Sequence, residues 1–110
     1  MAFVIMVREN KGLDSPVCLH WEKAKYFCIF DEEGNCEIYE KKSEEFFLKT
    51  LKEKNVRGAF ALSLGLRAIN LLNKMNITVY TGDFRTVREA IEKYVSKELS
   101  VVKIIYEPIK

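Results

Sequence analysis

The run Phe3-Val4-Ile5-Met6-Val7 constrains this chain more than any other feature, because it is apolar without interruption and ends abruptly at Arg8. A strand with one wet face alternates apolar and polar residues. An unbroken run of this length is the pattern of a strand covered on both faces. Such a strand belongs inside a sheet with helices on either side, so the rest of the chain has to supply those helices.

It does so in a regular order. Lys25 to Asp31 reads as a second strand, Glu32-Glu33-Gly34-Asn35 as a hairpin turn, and Cys36 to Glu40 as the returning third strand. In the third strand Ile38 falls on one face and Glu37 and Tyr39 on the other, as expected near a sheet edge. Ser43 is placed to cap a helix opened by Glu44 and Glu45, with Phe47, Leu48 and Leu51 as its buried stripe and Asn55 at its end. Val56 to Leu62 is a fourth strand. A second helix from about Gly65 sets Ala68, Leu71, Leu72 and Met75 on one face, closes at Asn76, and leads to a fifth strand, Ile77 to Tyr80. Thr86 and Glu89 form a capping box for a third helix with Val87, Ala90, Ile91 and Tyr94 inward. The spacing predicts a β-β-β-α-β-α-β-α order: a three-layer α/β domain over residues 1–110 with a mixed five-stranded sheet, of a topology that suits the ribonuclease H-like class. Val101 to Tyr106 adds either an edge strand or a segment that pairs with a second chain or another partner.

Charge and composition narrow the function. With 18 basic and 16 acidic residues the net charge is only +2, which argues against nucleic acid or an anionic membrane as the main partner. No apolar run is long enough to span a bilayer, and the start reads as a strand rather than a signal peptide. Three cysteines at spacings of ten and eight, without Cys-x-x-Cys, argue against a dithiol motif or a zinc site made by this chain alone. Reduced thiols in a cytoplasmic protein are the expectation.

In an open α/β sheet, ligands bind beyond the carboxyl ends of parallel strands. Three loops lie there: Glu9 to Trp21, Ser63 to Arg67, and Thr81 to Arg85. The first holds Cys18 and His20, the chain's only histidine, which together make at most two metal ligands, so any metal needs further ligands from outside or from a second protomer. Trp21 is read as a core or lid aromatic. Arg67 beside a helix N-terminus is either an anion-binding cation or an ordinary surface arginine. Strand one carries no carboxylate at its centre, and no Ser-His-Asp, phosphate-loop or GxGxxG pattern occurs, so metal-dependent nuclease chemistry is not expected and no catalytic machinery is visible.

Three blocks then resemble the dinitrogenase iron–molybdenum cofactor biosynthesis family, of the NifX, NafY and NifB C-terminal type. They are Ser15-Pro16 with His20-Trp21, Ala24 and Tyr26-Phe27; Gly65-Leu66-Arg67-Ala68 with Leu71-Leu72 and Ile77-Thr78-Val79-Tyr80; and Thr86-Val87 with Glu89-Ala90-Ile91 and Tyr94. The resemblance covers about residues 3–99, leaving 100–110 as an extension. It implies a ribonuclease H-like, non-enzymatic carrier of an iron–sulfur or iron–molybdenum type cluster or its precursor. His20 and Cys18 are then the metal ligands, and Ser63, Gly65, Arg67 and Gly82 surround the anionic cofactor. Glu22 and Leu62-Ser63 stand where the family pattern has glycines, which implies a narrower site. The alternative is a degenerate member kept as an interaction or regulatory module.

Overall fold

The apolar run does lie inside a sheet. A computed structural model describes residues 1–102, and in it β1 (Ala2–Val7) is flanked by β2 (Tyr26–Phe30), antiparallel, and β4 (Val56–Phe60), parallel. Its side chains divide as the pleat dictates: Val4 and Met6 enter one core, Phe3, Ile5 and Val7 the other. With β3 (Cys36–Glu40), β5 (Thr78–Thr81) and β6 (Ser100–Val102), the sheet has six strands in the order β3-β2-β1-β4-β5-β6. The five expected strands are all present. The sixth is antiparallel to β5 and is the start of the expected C-terminal strand; residues 103–106 of that segment lie outside the described residues.

Helices α1 (Glu44–Glu53) and α2 (Leu66–Lys74) cover the Val4/Met6 face through Phe47, Leu51 and Leu72. Helix α3 (Val87–Val95) covers the other through Val87 and Ala90, with Phe84 beside them. The local signals worked because they are local. Ser43 Oγ accepts from Phe46 N at 3.0 Å and Thr86 Oγ1 from Glu89 N at 3.1 Å, each satisfying an orphan amide of a first turn. Asn55 and Asn76 take φ of 54° and 59°, the left-handed closure that asparagine tolerates best after glycine. Asp31 Oδ1 accepts from Glu33 N and Asn35 N, fixing the hairpin turn.

One helix keeps most of its expected face: Leu72 is in the core, with Ala68 and Met75 packed against it. α2 buries Ile69 and Leu72, while Ala68, Leu71 and Met75 are only half buried. On the α3 side, Phe3, Phe60, Tyr80 and Tyr94 pack at centroid distances of 4.8–6.4 Å. Gly58 makes that cluster possible, since a Cβ there would stand 2.6 Å from Phe3 Cδ1.

Candidate functional site

The three loops expected at the carboxyl edge meet there. After Val7 the chain turns back on itself: Arg8 N donates to Pro16 O at 2.9 Å and Cys18 N to Met6 O at 2.8 Å, so the returning strand segment lies beside the end of β1. Ser15, wholly buried, accepts from Lys11 N at 2.8 Å and holds the tip of the excursion closed. Single bridges then join this loop to both others, Pro16 to Thr86 and His20 to Ser63. Val17 N donates to Arg85 O at 2.8 Å, strengthening the first of these contacts.

Local structure fixes His20 from its C-terminal side. A single 3-10 turn, Trp21–Lys23, follows it, and Trp21 is buried edge-on against Phe47 of α1 at 5.9 Å. The expected core aromatic is therefore the anchor of this segment. The His20 carbonyl accepts from Lys23 N at 3.1 Å and from the Cys18 thiol at 3.3 Å. Its backbone is thus tied inward while the residue stays exposed, with half-buried Cys18 beside it.

Across the His20–Ser63 bridge, Gly65 caps α2 with extended backbone and no side-chain acceptor for the first-turn amides, and Arg67 stands in that turn. Free amides and a guanidinium make this a positive corner. Glu22 faces it: a Cβ placed on Gly65 would stand 3.3 Å from Glu22 Oε1. The Glu22 carboxylate therefore narrows the corner.

Gly82 has a different surrounding. The room left by its missing side chain is occupied by Leu99, whose Cδ2 would stand 2.6 Å from a Cβ there. The structure thus brings Cys18, His20, Ser63, Gly65 and Arg67 to one edge, and packs Gly82 against the segment leading into β6. Among the described residues no group of three or more His, Cys, Asp or Glu side chains is arranged to hold a metal ion.

Beside the corner a cleft of 340 Å³ opens between α1 and α2, walled by Trp21 and Leu71 and rimmed by Glu22, Lys41, Glu44 and Arg67. Lys41 and Glu44 were not expected here. Their signal in the sequence is only that of a helix start, and the cleft exists because two helices pack side by side. No helix among the described residues is long and apolar enough to cross a membrane.

Residues 1–97 match the family described as dinitrogenase iron-molybdenum cofactor. Among solved structures, PH0822 is 25% identical, covering 93% of this chain and 96% of its own, with a TM-score of 0.76. The Thermotoga protein TM1290, given as a NifB candidate of the DUF35 family, is 26% identical over 96% of this chain and 97% of its own, with a TM-score of 0.77. The apo form of the orange protein from Desulfovibrio gigas, 17% identical over 92% of each chain with a TM-score of 0.75, is a likeness of fold alone. No curated protein matches the chain.

Proposed function

The chain belongs to the dinitrogenase iron-molybdenum cofactor family, and from that premise we propose that it is a non-enzymatic, cytoplasmic carrier of an anionic iron–sulfur or iron–molybdenum type cluster or its precursor. The observation that carries this reading is the His20–Ser63 bridge, which sets an exposed imidazole and a neighbouring thiol beside the uncapped start of α2. His20 supplies the first ligand and Cys18, as thiolate, the second. The amides after Gly65, the Ser63 hydroxyl and Arg67 hold the negative charge of the cargo, and the amides about Gly82 extend the edge.

The donor set fits such a cargo better than a bare ion. Two protein ligands cannot complete the tetrahedral shell of a single structural metal. A preformed cluster already carries its sulfides, so one or two protein donors suffice, and an exposed, two-point attachment suits a molecule that must release what it carries. The strand order β3-β2-β1-β4-β5, with its leading antiparallel hairpin, supports the ribonuclease H-like assignment of the core.

Anaerobic reconstitution with iron and sulfide tests this. Wild type should acquire a stoichiometric cluster absorption and His20→Ala should lose most of it. Absence of the chromophore in wild type overturns cluster carriage, and an undiminished one in the variant overturns His20 as ligand. One observation favours the second reading, an interaction or regulatory module: Leu19 and Leu66, 53% and 66% exposed, sit on either side of the corner that Glu22 narrows. That reading predicts no chromophore in either protein.

A further inference from the structure

The β2–β3 hairpin holds two thiols in contact at the other end of the sheet. Its register pairs Cys28 with Ile38 and Phe30 with Cys36, which puts Cys28 and Cys36 diagonally on one face, and their Sγ atoms are 2.8 Å apart. Phe30 in turn pairs with Phe3, at the start of β1, whereas His20 lies beyond its end. These sulfurs are therefore separate from the candidate cargo site.

Two sulfurs on one tetrahedral metal at about 2.3 Å each stand about 3.8 Å apart. A disulfide needs about 2.0 Å. At 2.8 Å the pair stands about 0.8 Å from the length of a disulfide. The two cysteines also differ in access. Cys28 is wholly buried, while Cys36 is half buried on an edge strand and lines a 200 Å³ surface cleft with Asp31, Asn35 and Lys54. The two thiols share one hydrogen bond, in which either can donate. It pushes the Cys28 thiol far up, with burial adding to the effect, and draws the Cys36 thiol down against burial and the nearby Glu37 carboxylate. The accessible sulfur is the more readily ionised one.

We propose that Cys28 and Cys36 form a reversible thiol–disulfide pair that is oxidised by hydroperoxides, with Cys36 as the sulfur attacked first and Cys28 as the one that resolves it. The Cys36 thiolate attacks the terminal peroxide oxygen, the O–O bond breaks, and the alkoxide leaves with a proton from water as alcohol. The Cys28 sulfur then attacks the Cys36 sulfenic acid, the S–O bond breaks, and the departing hydroxide takes the Cys28 proton as water. In sum, two thiols and one hydroperoxide give one disulfide, one alcohol and one water. A dithiol reductant reverses it. The new bond closes the hairpin across its own turn.

The test uses the full chain, freshly reduced and then treated with stoichiometric hydrogen peroxide, which leaves water in place of the alcohol. Iodoacetamide under denaturing conditions should label three cysteines before oxidation and one, Cys18, afterwards. The unlabelled peptides should be joined between positions 28 and 36 and lack two hydrogens. In Cys28→Ser, Cys36 should persist as a sulfenic acid that dimedone traps. Oxidation that leaves all three thiols open to label, links chains through Cys18, or drives wild-type Cys36 to sulfinic acid with Cys28 still free would overturn the proposal. Because the first readout is taken on wild type, it does not depend on any variant folding.

Discussion

The Glu22 carboxylate stands over Gly65, with Oε1 3.3 Å from the point a side chain there would occupy. A negative group thus confronts the positive start of α2. An anionic cargo brought to the same corner meets like charge at close range, which at an exposed site costs about 1 kcal/mol. In Glu22→Gln, which keeps the shape and removes the charge, a reconstituted cluster should resist chelator several-fold longer than in wild type, and the gain should shrink in high salt. Equal lifetimes at low salt would show that Glu22 does not face the cargo.

Gly58 and Gly82 both leave 2.6 Å for a would-be Cβ, yet their neighbours differ. Gly58 is held against the Phe3 ring inside the aromatic core, where an added methyl overpacks rigid rings and costs about 1–3 kcal/mol. Gly82 meets the end of a leucine side chain that can turn away. Urea unfolding should therefore show Gly58→Ala well below wild type and Gly82→Ala within about 1 kcal/mol of it.

Removing the caps isolates a purely local contribution. Ser43→Ala and Thr86→Ala each leave a first-turn amide without its acceptor, and each should cost about 1 kcal/mol. The two helices lie on opposite faces of the sheet, so the double variant should lose the sum, about 2 kcal/mol.

The hairpin turn carries a pH dependence. The Asn35 side chain, aided by its backbone N–H and that of Glu33, holds the Asp31 carboxyl below the usual range. A carboxyl whose folded value is depressed stabilises the fold above its unfolded value, near 3.9, and that contribution disappears as pH falls through the folded value. Asp31→Asn should thus unfold at lower urea than wild type at neutral pH. The gap should close in acid, as pH falls through the depressed folded value. A gap independent of pH would assign the effect to turn geometry instead of charge.

What could be read from the residues, and what could not, follows the range of the forces involved. Ser43, Thr86, Asn55 and Asn76 act within a few residues of themselves, so their roles show in the sequence. The meeting of three loops was also legible, because parallel strands point their ends the same way. The face of α2 was legible in part. Ala68, Leu72 and Met75 meet the core as their helical period requires, but Ile69 is buried as well and Leu71 is left as a cleft wall. The Cys28–Cys36 contact needed the hairpin register, which places Cys28 opposite Ile38; a spacing of eight does not disclose that by itself. Gly82 also makes room for Leu99, a partner 17 residues away that no local pattern names.

Among the described residues strand β3 ends the sheet, hydrogen-bonded on one side only. A bare strand rim is a template on which a second copy can stack and seed aggregates. Here the rim is acidic. Glu37 and Glu40 are exposed, and Glu37 accepts from Tyr39 and pairs with Lys54 at 3.4 Å. A copy arriving in antiparallel register brings its own carboxylates to the same line. The residues that make β3 a poor core strand therefore keep crowded molecules apart, and neutralising Glu37 and Glu40 together would remove that protection before it disturbed the fold.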